Sequence, residues 1–352
     1  MKELFLLDPG VIYLNHGSFG ACPAPVFEAY QRFQRELERQ PVEFLALERR
    51  FPALIEEARA ALAEYVGAPA GDLAFTPNAS SAVNAVARSL DLGPGDEILM
   101  GDLEYGGMER LWDYVAGRTG ATVVRRPFDE LTPGPRTRVL FCSHVEWSTG
   151  LINDVAGVCA RARDAEVLTV VDGAHAPGQI DVDLRALGAD DYTGNCHKWL
   201  CAPKGSAFLY ATPAAQELID PAVISWDWVD GAAFHELHRW QGTRDPSAYL
   251  AVPAAIAFQA EHDWPAVRAR CHALLAAADL GLEPLTDDYA QMRGYRIEHP
   301  DPPALKRRLY DEHRIEVPIV ETAHGWVLRV SVQAYNDAAD LDALAAALRR
   351  RP

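Results

Sequence analysis

Short apolar runs alternate with amphipathic helical stretches between Leu73 and Ala211, and this alternation restricts the possible folds more than any other feature. Such alternation is typical of a mostly parallel sheet covered by helices on both faces, where ligands bind beyond the carboxyl ends of the strands. The sequence therefore predicts an α/β fold with its functional site at that edge. The predicted strands are Leu73–Thr76, Glu97–Met100, Thr122–Arg125, Val139–Ser143, Leu168–Asp172 and Ser206–Tyr210, and the predicted helices between them are Ala82–Leu90, Met108–Gly117 and Val155–Ala165.

The C-terminal third changes pattern and predicts a second, smaller domain. Alanine-rich helical periodicity runs from Ala248 to Leu282, which indicates a helix that bridges the two domains. We predict a large domain over 14–247 and a small C-terminal domain over 248–352 that also includes 1–13. The tail predicts a small α+β arrangement made of strand Gly294–Glu298, helix Pro303–His313, strands Glu316–Val320 and Trp326–Val332, and helix Asp340–Arg349.

Charge and composition exclude several classes of partner. The formal charge of −17 opposes binding to nucleic acid or to an anionic membrane, because like charges repel. The start of the chain is too acidic for a secretory signal, and its apolar runs are shorter than a membrane span. The six cysteines are scattered along the chain without the paired spacing of a zinc site. These features predict reduced thiols and a cytoplasmic location.

One acid and one lysine indicate a specific chemistry. Asp172 ends the apolar run Val167–Val171, so a buried strand delivers its carboxylate to the carboxyl end of the sheet. Lys198 follows twenty-six positions later, next to His197. A lysine amine forms a Schiff base with the aldehyde of pyridoxal phosphate (PLP), and an acid keeps the pyridine nitrogen of that cofactor protonated. The pairing therefore indicates PLP chemistry.

Further segments are candidates for contacts with such a cofactor. Phe75–Asn84 runs from a strand into a helix, and helix N–H groups with the Ser80 hydroxyl suit a phosphate, although an ordinary N-cap gives the same pattern. His197 could add a phosphate contact. Tyr105 could lie on the cofactor ring or simply pack within its loop. His144 ends a strand and would point into the crevice, unless it is a structural histidine.

A third group of residues suits the substrate. Arg329 lies in an alternating strand, where it needs an anion such as an α-carboxylate or the side chain of an acidic residue. The polar, glycine-containing segment Asn15–Gly20 allows close backbone approach to a ligand and offers Asn15 and His16. The histidines of His235–His238 lack the spacing of a zinc-binding helix, so no metal site is predicted.

Together these segments resemble the class V aminotransferase family of fold type I PLP enzymes. The resemblance is greatest to the isopenicillin N epimerase-like branch, which is related to selenocysteine lyases and cysteine desulfurases. It implies a large PLP-binding domain and a smaller C-terminal domain, and it spans nearly the whole chain. The segments that carry it are Leu14–Gly20, Phe75–Asn84, Glu104–Gly107, Ser143–Gly150, Asp172–Gly178, Asn195–Tyr210, Gly242–Tyr249 and Arg329–Asn336.

The resemblance implies a role for each candidate. Lys198, Asp172, His175 and Tyr105 would be the catalytic residues. The substrate carboxylate would contact Arg329, with Asn15 and His16 beside it. Thr243 would reach the phosphate in the neighbouring subunit, which implies a homodimer with a composite active site. The implied cofactor contacts are Lys198 as the Schiff-base lysine, Asp172 at the pyridine nitrogen, His175 at the phenolic oxygen, Tyr105 on the ring, His144 where desulfurases carry asparagine, and Ala79, Ser80 and His197 at the phosphate.

One departure from the desulfurases narrows the function. They need a nucleophilic cysteine shortly before the position of Arg329, whereas the last cysteine here is Cys271. Persulfide transfer by that route is therefore disfavoured. The sequence predicts a PLP enzyme that deprotonates Cα of an amino acid. Epimerisation or racemisation ranks first among its predicted activities. C–S cleavage of a cysteine derivative ranks nearly level, transamination third, and a non-catalytic binding protein last.

Overall fold

The computed structural model describes residues 1–349, which include twelve β-strands. The strands are β1 (Ile12–Tyr13), β2 (Leu73–Thr76), β3 (Glu97–Gly101), β4 (Thr122–Arg126), β5 (Thr137–Ser143), β6 (Leu168–Asp172), β7 (Asp191–Asn195), β8 (Ala207–Ala211), β9 (Met292–Arg296), β10 (Ile315–Glu316), β11 (Ile319–Thr322) and β12 (Gly325–Ser331).

Helices of varied length connect and cover these strands. They are α1 (His16–Phe19), α2 (Ala24–Arg39), α3 (Pro41–Leu45), α4 (Phe51–Tyr65), α5 (Ala79–Ser89), α6 (Gly106–Thr119), α7 (Val155–Asp164), α8 (Leu184–Leu187), α9 (Pro213–Gln216), α10 (Phe234–Leu237), α11 (Ser247–Leu250), α12 (Val252–Glu261), α13 (Trp264–Ala277), α14 (Pro302–Asp311) and α15 (Ala338–Arg349), with 3₁₀ turns at Lys2–Leu4, Ala70–Asp72 and Phe128–Glu130. Within residues 1–349 no helix is both long enough and apolar enough to cross a bilayer.

A seven-stranded sheet forms the centre of the molecule, in the order β2-β8-β7-β6-β5-β3-β4. Neighbouring strands are parallel except where β8 pairs antiparallel with β2 and β7. The predicted α/β fold with a mostly parallel sheet is confirmed. All six predicted strands of this region are present: β2 and β6 have the predicted ends, and the ends of the other four shift by one or two residues.

One central strand, β7, was not predicted. Its residues Asp191, Thr193 and Asn195 are polar, so the segment lacks the apolar run that indicates a buried strand. The fold satisfies these polar groups locally: the Thr193 hydroxyl donates to the Phe208 carbonyl at 2.7 Å, and the Asn195 side chain accepts from the Ala79 N–H at 3.0 Å. Because β7 pairs with β6, the chain after Asn195 leaves the sheet beside the end of β6.

The C-terminal residues form the smaller α+β layer that the sequence predicts. Strands β9, β12 and β11 make an antiparallel sheet, and β10 pairs with the N-terminal β1. The single strand predicted over Glu316–Val320 is instead split between β10 and β11, since Pro318 has no N–H to donate to a ladder. Pro318 still accepts from the Arg329 N–H at 3.1 Å.

The predicted bridging helix is three helices, α11 to α13. The last break falls at Asp263, whose φ of 48° lies in the left-handed region and whose side chain caps α13 by accepting from the Ala266 N–H. The main hydrophobic core joins residues from the central sheet, these helices and the C-terminal sheet. The predicted domain boundary at 247/248 falls within α11 and remains a prediction. Residues 350–352 lie outside the described residues.

Candidate active site

A cavity of about 450 Å³ lies beyond the carboxyl ends of β5, β6 and β7, between the central sheet and the C-terminal layer. This is the edge at which parallel sheets bind ligands. Its walls come from eight separate stretches of the chain, which the fold brings together. The lining residues are Gly17, Ser18, Phe19, Asn78, Ala79, Ser80, Tyr105, Ser143, Val145, Trp147, Asp172, Ala174, His175, Asn195, His197, Lys198, Pro318, Val320 and Arg329.

Lys198 and Asp172 share this cavity and influence one another electrostatically. Burial lowers the pKa of Lys198 to about 7, although the negative charge of Asp172 opposes the shift. Burial likewise raises the pKa of Asp172, while the Ala174 N–H, 2.8 Å from its carboxylate, and the charge of Lys198 act against that rise. Near pH 7 a substantial fraction of this amine is neutral and can act as a nucleophile and a base, whereas an ordinary lysine is almost fully protonated.

His175 lies between Lys198 and the indole of Trp199. Its Nε2 is 3.0 Å from Lys198 Nζ, and its Nδ1 accepts from the Trp199 Nε1–H at 3.2 Å. Burial holds the pKa of His175 well below its usual range, and the positive charges of Lys198 and Arg329 reinforce the effect. The histidine is therefore a neutral ring with both nitrogens engaged.

The opposite end of the cavity is the N-terminus of α5. The Asn78 side chain caps this helix by accepting from the Ser81 N–H at 2.8 Å, and Ala79 and Ser80 form the first turn. His197 faces the same space, with its Nδ1 3.0 Å from the Ser206 carbonyl. Burial lowers the pKa of His197 to about 4. Helix N–H groups, a hydroxyl and an imidazole suit an anion such as phosphate.

Arg329 is a buried guanidinium whose contacts are with neutral groups. Its Nη1 donates to the Trp147 carbonyl at 2.5 Å and its Nη2 donates to the Ser18 hydroxyl at 2.7 Å. Its Nε has no hydrogen-bond partner among residues 1–349. Within that part of the chain no carboxylate lies within 4.0 Å of it, so the ion pair considered from the sequence is not formed. Burial lowers the pKa of Arg329 to about 10, which leaves it charged.

Four predicted site residues lie off the cavity wall. His16 is fully buried behind Lys198, with its Nε2 3.1 Å from the Lys198 carbonyl and its Nδ1 3.0 Å from the Tyr335 hydroxyl. Asn15 lies behind Arg329, 3.4 Å from its Nη2. His144 contacts the Tyr192 hydroxyl at 2.9 Å. Thr243 is exposed on a separate apolar depression at the surface. In this chain alone, these four side chains do not reach the cavity.

Aromatic side chains border the open side of the cavity. Tyr105 is 48% exposed and meets Trp147 edge to face, with ring centroids 6.0 Å apart, while Phe19 is 68% exposed. The sequence did not predict a role for Trp147 or Phe19 at the site, since aromatic residues in loops more often pack against the protein. Rings that stay exposed at a cavity mouth are available to a ligand or to another subunit.

The sequence assigned no role to Glu104, which is buried and contacts Ser143 of the cavity wall. Its carboxyl group contacts both the Ser143 hydroxyl and the Ser143 N–H, the latter at 3.0 Å. Burial raises the pKa of Glu104 to about 8; the Ser143 hydrogen bonds oppose the rise, and the charge of Asp172 adds to it. Glu104 therefore ties the loop that carries Tyr105 to the end of β5.

Comparison with known proteins places this site in a family. The family model of class V aminotransferases matches residues 12–293. The chain is 39% identical to the isopenicillin N epimerase of Streptomyces clavuligerus, covering 97% of this chain and 95% of the relative. Its identity to the isopenicillin N epimerase of Amycolatopsis lactamdurans is also 39%, covering 99% of this chain and 97% of the relative. The chain belongs to the class V aminotransferase family, whose members are PLP enzymes, so the predicted family and class of cofactor are confirmed.

Other relatives and solved structures carry different activities. An L-cysteine desulfhydrase of Arabidopsis thaliana is 30% identical over 71% of this chain and 60% of its own length. The cystine C–S lyase C-DES, solved with its product cysteine persulfide, has a TM-score of 0.85 and 25% identity, covering 97% of both chains. The cysteine desulfurase CsdA of Escherichia coli has a TM-score of 0.82 at 24% identity, covering 99% of this chain and 96% of its own. These structures share the fold.

Proposed function

We propose that this chain is a PLP-dependent enzyme that acts at Cα of an amino acid and epimerises it in the manner of the isopenicillin N epimerases. The observation that carries the proposal is one cavity that holds a lysine amine with a lowered pKa, a buried acid and an arginine whose hydrogen bonds within residues 1–349 are with neutral groups. The identity of 39% to two isopenicillin N epimerases over nearly the whole chain supports the reaction type.

The residues present fit this cofactor by their chemistry. The amine of Lys198 would hold the aldehyde carbon, and Asp172 would pair with the pyridine nitrogen. The N-terminus of α5 with Ser80 and His197 would hold the phosphate. PLP supplies an aldehyde that condenses with amines and a ring that withdraws electrons from Cα. Tyr105 would cover the ring, a role that its exposed side chain allows.

Substrate binding and proton transfer then belong to the side chains. Arg329 would bind the α-carboxylate, because its guanidinium lines the cavity and its hydrogen bonds are with neutral groups. Lys198, once it no longer holds the cofactor, would remove the α-proton, because its lowered pKa makes it a base near pH 7. Asp172 would keep the pyridine nitrogen protonated throughout.

Epimerisation also needs a proton donor on the face opposite Lys198. Tyr105 and His16 are the two candidates from the sequence. His16 lies behind the Lys198 carbonyl with both ring nitrogens engaged, so it is on the wrong side of the lysine. Tyr105 lines the cavity and is half exposed. We therefore assign the second proton transfer to the Tyr105 hydroxyl.

C–S cleavage of a cysteine derivative is the second candidate. It is favoured by the similarity to desulfhydrases and by the fold shared with a C–S lyase. It needs no donor opposite Lys198 and no nucleophilic thiol, and the last cysteine, Cys271, is buried in α13. Transamination ranks third, because no relative described above carries that activity.

We further propose a cytoplasmic homodimer. Thr243 lies in an apolar depression with Trp226 and Trp240, and Trp226 is 81% exposed. A second subunit on this face would bury those rings and bring Thr243 of one subunit towards the cavity of the other.

Borohydride reduction of the PLP-loaded protein tests the assignment of Lys198. Reduction should fix the cofactor on the peptide that contains Lys198, as read by mass spectrometry, together with a visible absorbance band before reduction. The Lys198→Ala variant should show neither, whereas Lys306→Ala, which removes an exposed lysine from α14, should match the wild type. A link to any other lysine would refute the assignment.

A further inference from the structure

We infer that Trp199 is a positioning residue: its indole N–H fixes the tautomer of His175, and His175 in turn holds the amine of Lys198 as a hydrogen-bond acceptor. The inference deepens the proposed function, and its catalytic meaning depends on that function. The arrangement itself is a property of the protein without cofactor. It rests on two hydrogen bonds in series and on the donor and acceptor capacities of three side chains.

The first step concerns the bond between Trp199 and His175. An indole nitrogen is a donor only, so the contact of 3.2 Å requires an acceptor at His175 Nδ1. Trp199 is fully buried, and its ring packs against His16 with centroids 4.9 Å apart. An indole N–H in such a place must find its partner within the protein, since water is excluded. His175 Nδ1 must therefore carry its lone pair towards the indole.

The second step concerns the bond between His175 and Lys198. A neutral imidazole with its lone pair on Nδ1 carries its proton on Nε2. That nitrogen is 3.0 Å from Lys198 Nζ, and an N–H donor there needs an acceptor. An ammonium group has no lone pair, so the hydrogen bond can be made only by the neutral amine. The tautomer thus selects the form of Lys198 that attacks an aldehyde.

The charged groups around His175 and Lys198 have opposite effects on the charge of the lysine. Arg329 disfavours positive charge on both His175 and Lys198. Asp172 is the one acid that favours a charged Lys198. The hydrogen bond from His175 opposes Asp172, and it does so without adding a charge of its own.

The backbone holds Trp199 in place. A Cβ atom on Gly178, whose φ is 90°, would collide with the Trp199 carbonyl group, so only glycine lets the two segments approach this closely. The Gln259 side chain donates to the Trp199 carbonyl at 2.9 Å. These contacts fix the main chain of Trp199 against the segment that carries His175. The indole therefore cannot readily turn away from its acceptor.

Removal of the indole N–H tests the inference. In Trp199→Phe, nothing holds the lone pair at Nδ1, so the His175 proton can move there and Nε2 becomes an acceptor. A charged Lys198 then gains a hydrogen bond, and we expect the pKa of its amine to rise by about one unit. The amine pKa is read from the pH dependence of acetylation of Lys198 by acetic anhydride in cofactor-free protein, quantified by peptide mass spectrometry.

Nitrogen-15 NMR of histidine-labelled, cofactor-free protein reports the tautomer directly. The wild type should show His175 protonated at Nε2 and not at Nδ1, and Trp199→Phe should lose this preference. The matched control is Trp112→Phe, which removes an equally buried indole whose N–H has no partner among residues 1–349. It should leave both the tautomer and the pH profile of acetylation unchanged.

A double variant separates a tautomer effect from a packing effect. In a His175→Gln background there is no tautomer to fix, so adding Trp199→Phe should no longer shift the pH profile of Lys198. A wild-type His175 protonated at Nδ1, or an equal shift in both backgrounds, would overturn the inference. Neither readout uses PLP, so failure of the proposed function would show separately, as the absence of a reducible link to Lys198.

Discussion

At the scale of single residues, burial determines what the candidate site can do. The same desolvation that lowers the pKa of Lys198 to about 7 makes Asp172 and Glu104 harder to ionise. Asp172 would gain a partner from a protonated pyridine nitrogen, whereas Glu104 already contacts Ser143. Asp172 and Glu104 thus have different environments, which suits a proton-holding role for Asp172 and a structural role for Glu104.

Tyr105→Phe should separate proton removal from epimerisation. The ring would still cover the cofactor, but the hydroxyl proposed to donate from the second face is gone. We expect exchange of the α-proton with solvent deuterium to continue with retained configuration, while epimerisation falls at least about 100-fold, the usual size of a lost general acid. Chiral chromatography and mass spectrometry of the same samples measure both. Equal losses of exchange and epimerisation would place Tyr105 elsewhere in the mechanism.

His197 should take up a proton when the phosphate binds. Its Nδ1 donates to the Ser206 carbonyl, so the neutral ring has only a lone pair on Nε2 to offer a phosphate. Burial holds the pKa of free His197 at about 4, and a bound phosphate would raise it. Affinity should therefore fall as the pH rises through the raised pKa.

Pyridoxine phosphate, which has no aldehyde, measures this effect without the reaction of Lys198. Calorimetry in buffers of different ionisation enthalpy should show greater proton uptake by the wild type than by His197→Gln, by up to about one proton. The difference between the two proteins removes the ionisation of the phosphate itself. Equal proton uptake would mean that His197 does not titrate with phosphate binding.

At the scale of secondary structure, the sequence pattern predicted those strands that are buried through apolar side chains. The runs that became β5 and β6 are apolar, so both strands and the position of Asp172 followed from the sequence. Strand β7 was missed because Thr193 and Asn195 are buried through hydrogen bonds, which hydrophobic patterning does not reveal. The sequence predicted His16 beside the substrate, whereas in this chain its ring packs behind the Lys198 carbonyl. A motif shows that a residue is near a site, but not on which side of the lysine it packs.

Gly178→Ala should disrupt the contact between the His175 segment and Trp199. Both strain at a left-handed φ and a collision with the Trp199 carbonyl oppose an alanine, and we expect a loss of about 2–4 kcal/mol in unfolding free energy. Gly231 has a similar φ of 78° but open space around it, so Gly231→Ala should cost only about 1 kcal/mol. Denaturant titration measures both. Equal losses would show that the close approach contributes nothing.

At the scale of the whole molecule, the position of Thr243 and an exposed apolar surface both favour a homodimer. Thr243, predicted to contact the cofactor phosphate, lies outside the cavity of its own chain. Trp226 lines the same depression as Thr243, and Trp226 and its sequence neighbours Ile224 and Val229 are each more than half exposed. Large exposed rings of this kind usually belong to an interface. A homodimer accounts for both observations at once.

Trp226→Glu should therefore weaken the dimer. Sedimentation at micromolar concentration should give twice the chain mass of 38.7 kDa for the wild type and a lower mass for the variant. Retention of PLP should fall with it, because a composite site loses its second half. Tyr114→Glu, which changes an exposed aromatic on α6, is the matched control and should remain dimeric. A monomeric wild type that holds PLP normally would contradict the composite site.

The most direct test of the account is α-proton exchange. The PLP-loaded protein is incubated in heavy water with a panel of L-amino acids, S-substituted cysteines and peptides that carry a free α-amino acid end, and the products are analysed by mass spectrometry and chiral chromatography. The account predicts deuterium at Cα of at least one substrate with loss of configuration and without pyruvate, and no exchange by Lys198→Ala. Pyruvate release from a cysteine derivative would instead identify a C–S lyase. Exchange that persists in Lys198→Ala, or no exchange with any substrate although PLP is bound, would contradict the central claim.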